Sequence, residues 1–441
     1  MPAAPADSAI YGRLFGDAET AALFSDSAEL RAMLLVEGAL ARAQGALGLI
    51  PQDAAAYIDR ASQELMLDPS VLSVETEKNG VPVPAFLTAF RKAAGVPDLM
   101  RYLHWGATSQ DIMDTGLALR LRPVLTLWQT QLDGLLAQVA ALAKAHADLP
   151  MTARTYGQAA TPTSFGAVVA SWGWPILRAR DDLGPLRDHL LQVSLSGAAG
   201  TLSAMGDHGP AVRAALASEL GLTDPGYSWH SDRGGPGHLA AYAAGLAGSL
   251  GKLGEDVLLL SQSGLAEVSL GAGGASSTMP QKRNPIDASA LVALARHVIG
   301  LAGLLRGAAL HRQQRDGAAW FSEWLSLPLL CICTGRMLSL AARIAADLVP
   351  DPNAMARHLN DGQGLIHAEA LAFALADQMP RPAAHAALKD LCAEAIATGT
   401  PLLTLASQSY PQTDWAAQLE QADLGQAPAE ARAFAARVTP G

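Results

Sequence analysis

An all-α protein organised round a central bundle of five long helices is the fold class this sequence predicts. Three observations predict it. Apolar residues recur every three or four positions over unusually long stretches. No segment is β-rich with the punctuation of hairpins. Hydrophobic residues make up 50% of the 441 and charged ones only 16%. So apolar a chain buries much of its surface, and a large interface between copies of itself would account for the excess. At this length two or three domains are expected rather than a single core.

The elements follow in chain order. Residues 1–105 carry short helical patterns, as at 29–47 and 84–94, and form the expected first domain. The first long helix is expected over 111–147, on the series Leu117, Leu121, Val124, Trp128, Leu132, Leu135, Val139 and Leu142, with a kink at Pro123. At ~1.5 Å per residue it would exceed about 50 Å. The series Leu239, Tyr242, Leu246, Leu250, Leu253, Val257 and Leu260 marks the third long helix. Leu291, Leu294, Val298, Leu301 and Leu305 mark the fourth, with Asn284 as cap and Pro285 at its first position. Stretches 163–194 and 318–348 read as the second and fifth, each interrupted by proline. The expected bundle domain therefore spans 106–349. From 350 to 441, short helices alternate with the turns DPNAM, DGQG, MPRP and TGTP, a third, small helical domain.

Composition excludes several classes of function. Net charge is −10, so a nucleic-acid partner, which needs a basic face, is not expected. No uninterrupted apolar run reaches the ~18 residues of a membrane span, because Arg306 and Arg336 break the most apolar candidates. The N-terminal MPAAPADSAIYGR lacks the basic and apolar regions of a signal peptide. Cys331, Cys333 and Cys392 are odd in number and without metal-ligand spacing, which suits a reducing, cytoplasmic setting. There is no HExxH, P-loop, GxGxxG or Cys/His cluster, so neither a metal nor a nucleotide cofactor is expected.

Three polar, glycine-bearing blocks interrupt the long helices. HWGATSQD (104–111) sets Thr108 and Ser109 at a helix N-terminus, where free N–H groups and the dipole favour a carboxylate. Taken singly it also reads as an ordinary cap. ARTYGQAATPTSFG (153–166) brings Arg154 and Gln158, or else a turn with a solvated arginine. GAGGASSTMPQKRNP (271–285) has glycines that permit movement, the hydroxyls of Ser276 and Ser277, and the cations Lys282 and Arg283 beside a helix start. A nearby ammonium and helix dipole favour a serine oxyanion, which makes the serine a usable base. WHSDRGGPG (229–237) and HRQQRDGAAW (311–320) offer Arg233 and Arg315 either to a site or to ion-paired helix ends.

Together, in this order on long helices, the blocks resemble the aspartase/fumarase superfamily. ASSTMPQKRNP (275–285) is similar to its specific signature GSSxMPxKxNP, and GATSQDIMDTG (106–116) and RTYGQAATPTSFG (154–166) are similar to two further blocks. The resemblance covers most of the chain and is weakest after about residue 400. It implies the three-domain fold, a homotetramer joined through its bundles, sites built from loops of three subunits, no cofactor and a small carboxylate substrate. By position, Ser276 is the implied catalytic serine with Lys282 beside it. Thr108, Ser109, Arg154, Thr155, Gln158, Ser277 and Asn284 are implied substrate contacts, Arg315 a further cation, and His104 and Tyr156 shape the pocket.

Departures from the pattern narrow the reaction. Amine- and hydroxide-expelling members often have RTHGQ where this chain has Tyr156, and adenylosuccinate lyases carry a THD-like motif where it has Asn79-Gly80. A departing amine needs a positioned acid, worth ~10²–10⁴ in rate. A carboxylate leaves unaided, its pKa being about 4. Carboxylate addition to a double bond and its reversal, lactone opening, suit such a site. WHSDR, RDGAAWFSEW and STMPQKRNP resemble the branch that converts 3-carboxy-cis,cis-muconate to 4-carboxymuconolactone in protocatechuate breakdown. Three substrate carboxylates would suit cations on several loops. The alternatives are an adenylosuccinate-lyase-like amine lyase with a relocated acid, and a crystallin-like scaffold, against which the intact Ser276, Lys282 and Asn284 argue.

Overall fold

A computed structural model describes residues 5–271, 274–275, 278–421 and 424–439. The chain forms two compact units: residues 1–131, 179–248 and 293–339 in the first, and 132–178, 249–292 and 340–441 in the second. This partition is spatial, and it differs from the three consecutive segments expected along the sequence.

Helix dominates. The five long helices run Ser109–Ala145, Phe165–Asp181, Gly234–Leu260, Ile286–Gly307 and Gly317–Asp347. The periodic series that predicts the first is buried from Leu121 through Val139. Pro123 is accommodated within it at the cost of an N–H for the Leu119 carbonyl. The expected second helix, 163–194, is instead two: it stops at Asp181 and resumes as Leu183–Leu190. Pro185 explains the break, since it has no N–H to return to the Asp181 carbonyl, and Gly184 before it adds no helix propensity. The fourth helix starts at Ile286, with the Pro285 carbonyl accepting the first bond from the Ser289 N–H, so Asn284 lies before it in a strand. By length and average hydropathy the fourth and fifth could cross a membrane, but 56% and 67% of their apolar windows are buried.

In the first unit, Met33, Leu34, Phe86, Phe90, Met100, Ile112 and Trp320 belong to one fully packed cluster. The Trp128 ring stacks on Tyr242 at 6.0 Å. In the second, Phe165 meets Trp172 edge-on at 6.4 Å, and the Trp172 indole N–H donates to Asp256 at 2.7 Å. Leu371, Leu375, Leu388, Leu391 and Leu402 form a further core there. Each such side chain contributes roughly 1.5–3 kcal/mol when wholly buried.

The expectation of no hairpin is overturned in the second unit. β1 (Pro150–Thr155) pairs with β2 (Gln158–Ser164), β3 (Val268–Leu270) with β6 (Leu348–Pro350), and β4 (Gly274–Ala275) with β5 (Arg283–Asn284), all antiparallel. The β1–β2 ribbon hides from a hydropathy reading because Met151, Ala153, Ala159 and Ala160 are scattered among its polar residues without a strong alternation. Its evidence is instead four β-branched threonines, at 152, 155, 161 and 163.

Gly166, at the start of the second long helix, sits so close to the end of the first that a Cβ would lie 2.5 Å from the Ala143 carbonyl oxygen and 2.6 Å from Ala147 Cα. Backbone cannot yield as a side chain can, so Gly166→Ala is expected to destabilise by about 1–3 kcal/mol. Gly134, inside the first helix, faces nothing within 4 Å, and Gly134→Ala should stabilise by about 0.5–1 kcal/mol. Urea midpoints of the two variants, moving in opposite directions at unchanged slope, check both.

Candidate active site

In the first unit the site grows from the start of the helix Ser109–Ala145. Thr108 precedes that helix, and its N–H donates to Asp111 Oδ2 at 3.0 Å, the return half of a capping box. Asp111 is wholly buried. It also accepts the N–H groups of Ser196 (2.8 Å) and Gly197 (3.0 Å) and Nε2–H of His230 (2.8 Å). Four donors on one carboxylate lock the segment at 196–197 against the helix start. Gly197 takes φ 72°, which a side chain would strain.

Arg315 completes this end. Its Nε donates to Gln110 Oε1 at 2.9 Å, and its Nη2 stands 3.3 Å from Thr108 Oγ1 and 3.4 Å from the Ala198 carbonyl. A guanidinium, a hydroxyl and the opening N–H groups of a long helix thus converge, a combination that binds carboxylate. Thr108 and Arg315, two of the sequence-derived contacts, come together here, and Ser109 follows Thr108 as the first residue of the helix.

Arg233 has a different fate. It is buried and donates to Glu323 (2.6 and 2.7 Å) and to Asp114 (2.8 and 3.1 Å). Burial opposes its charge, but the two carboxylates outweigh it and hold the pKa above the ordinary value. Burial pushes Glu323 up, and Arg233 pulls it part of the way back. Arg233 is therefore a structural ion centre, spent on its own neighbours. His104, with φ 65°, donates Nδ1–H to the buried Glu37 at 2.6 Å. Burial works against its charged form. The Glu37 carboxylate, by charge and hydrogen bond, prevails with help from Asp111, so its pKa is raised above 6.5.

The second unit carries the other two blocks. Tyr156 (φ 53°) and Gly157 (φ 76°) form the two-residue turn between β1 and β2 with both φ positive, the geometry that matches strand twist. Tyr156 projects fully into solvent in this chain, and Thr155 and Gln158 face each other, exposed, at the strand ends. Arg154 is not solvated. Its two terminal nitrogens bind the buried Glu267 at 2.7 and 2.8 Å, and His358 Nδ1 joins that carboxylate at 2.9 Å. The signature strip is closed by the β4–β5 pair. Ser276 and Ser277 lie outside the described residues. Lys282 is exposed, its N–H held by the Met279 carbonyl at 3.0 Å, and Asn284 is half-buried in β5.

Several residues escaped the sequence reading: Glu37, Asp114, Glu267, Glu323, His230, His358 and the segment at 196–198. A signal existed for the acids. A carboxylate set among apolar helical residues must have a partner, and so few charged residues leave few candidates. For the segment, the glycine pair in SGAAGT was the only mark.

Residues 17–300 match a family described as lyase. A 3-carboxy-cis,cis-muconate cycloisomerase of Pseudomonas aeruginosa is 40% identical over 393 residues, 88% of this chain and 85% of that protein. The crystal structure of 3-carboxy-cis,cis-muconate lactonizing enzyme from Pseudomonas putida matches with TM-score 0.87 and 36% identity, over 98% of both chains. That of beta-carboxy-cis,cis-muconate cycloisomerase from Acinetobacter calcoaceticus matches with TM-score 0.89 and 30% identity, over 96% of this chain and 99% of its own.

Removing Arg233 strands two buried carboxylates, so Arg233→Leu should cost about 3–5 kcal/mol in chemical denaturation. The raised pKa of His104 implies that its stabilisation is full below pH 6.5 and is lost as pH rises through the native value. Unfolding free energy should therefore fall across that window in the parent, and His104→Gln should remove that part of the slope.

Proposed function

The chain belongs to the lyase family matched over residues 17–300, and from that premise we propose that it is a cycloisomerase that converts 3-carboxy-cis,cis-muconate to 4-carboxymuconolactone. The observation that carries this is the likeness to the cycloisomerases of that name, which extends over most of the chain. The carboxylate cradle of Thr108, Ser109 and Arg315 gives it a chemical footing.

The reaction forms one C–O bond and one C–H bond. A substrate carboxylate oxygen adds to one end of a double bond. The π pair moves to the other end, beside a second carboxylate, which becomes enolate-like. Cations and N–H groups aimed at that carboxylate are worth most at this moment. A proton then closes the sequence at carbon. In this reading Ser276 delivers it, Lys282 steadies the seryl oxygen left behind, and solvent restores the hydroxyl. The attacking oxygen is already an anion, so no acid is required at the heteroatom. Tyr156 in place of histidine, and Asn79-Gly80 in place of a histidine-bearing motif, fit that economy.

The working form in this proposal is a homotetramer in the cytoplasm. Exposed apolar side chains on the long helices support the assembly: Leu259 (55% exposed), Ile299 (48%), Leu304 (63%) and Leu325 (81%). So does the bare tip of the β1–β2 ribbon, which would meet a neighbour's site. Three free cysteines suit a reducing compartment.

Purified protein should consume 3-carboxy-cis,cis-muconate, followed by absorbance, and leave adenylosuccinate untouched; the opposite selectivity would discard the proposal. Ser276→Ala should lower kcat by about 10²–10⁴ without moving the denaturation midpoint. A variant as fast as the parent would remove Ser276 from the mechanism.

A further inference from the structure

We propose that Gln110 is a positioning residue for this reaction: it aims the Arg315 guanidinium at the substrate carboxylate without neutralising it. The inference rests on the reading of Arg315 as a substrate contact.

The amide has only one orientation available. Its Nε2 donates to Asp114 Oδ2 at 3.0 Å and to the His230 carbonyl at 2.9 Å. Both partners are acceptors, so a flipped amide would press its oxygen against two other oxygens. The oxygen is therefore forced to the far side, where it takes the Arg315 Nε–H at 2.9 Å. Asp114 cannot drift either, being held by Arg233, which is held in turn by Glu323. Gln110, Asp114, Arg233 and Glu323 are all buried. Arg315, the last member of this series and only partly buried, directs Nη2 toward Thr108 and the Ala198 carbonyl, and its Nη1 meets no acceptor among the described residues.

The residue type matters as much as the geometry. Asp111, Asp114 and Glu323 already place three carboxylates around this point, and Arg233 answers two of them. A fourth at position 110 would claim Arg315 as its own counter-ion. A neutral amide oxygen orients the guanidinium and leaves its charge to the ligand.

Gln110→Glu tests this through pH. The new carboxyl would face Asp111 and Asp114 on its own helix, His230 and Arg233 from the 229–233 segment, Glu323 on the helix Gly317–Asp347, and Arg315. Protonated, it keeps the acceptor for Arg315 and one of the amide's two donors, the O–H to Asp114, losing only the bond to the His230 carbonyl. Ionised, it clamps Arg315. The expected result is a KM for 3-carboxy-cis,cis-muconate at least about tenfold above the parent at high pH, falling toward the parent as pH drops, with kcat nearly unchanged. A ratio of KM values to the parent that stays constant from pH 6 to 8.5 would overturn the proposal. Arg315→Met separates the premise: if it leaves KM unaltered, the reading of Arg315 fails, whereas a raised KM there with no pH step in Gln110→Glu fails Gln110 alone. If Gln110→Glu does not fold, Gln110→Met decides the matter, since a raised KM with kcat retained supports the role and an unaltered KM refutes it.

Discussion

Asp111 is a carboxylate with no water to turn to, and much of the first unit is arranged around that fact. Several kcal/mol would be lost if its charge were buried without donors. Thr108, Ser196, Gly197 and His230 supply them. Two of those donors are backbone groups of a glycine-bearing segment, so neutralising the charge also fixes a shape. That shape brings the Ala198 carbonyl to Arg315, which in turn stands beside Thr108. An electrostatic necessity in the first turn of a helix thus sets the geometry of a surface cradle.

The same device recurs elsewhere in the chain with different partners. Glu267 anchors Arg154 and His358 in the second unit, and Glu37 anchors His104 in the first. In each case a buried acid fixes a cation belonging to one of the polar blocks. The contrast is between Arg233 and Arg315. The first is saturated by carboxylates and holds the structure together; the second leans on neutral oxygens and keeps its charge.

What the sequence revealed depended on how local the information was. Helical periodicity is local, and the five long helices lie close to where their apolar series put them, except that 163–194 divides at Pro185. Thr108 and Ser109 sit at a helix start because the cap and the helix are neighbours in sequence. Partnership is not local. Nothing in the residues around Arg154 names Glu267, 113 positions on, and nothing around Arg233 chooses Asp114 and Glu323 over the other acids. The β1–β2 ribbon is hidden for another reason: small apolar and polar residues mix along both strands, so burial leaves little periodic trace.

The order of synthesis gives the Asp111 centre a history. Its donors at 196 and 230 leave the ribosome 85 and 119 residues after it, and Glu323 emerges 90 residues after the arginine it must hold. Until residues 230 and 233 are made, the nascent chain carries Asp111 and Asp114 without the partners that answer them, and burying either acid then would cost several kcal/mol. The emergence of residues 230 and 233 is then a commitment point: before it, closure of this unit around Asp111 and Asp114 is penalised by unanswered charge, and after it His230 and Arg233 answer both acids.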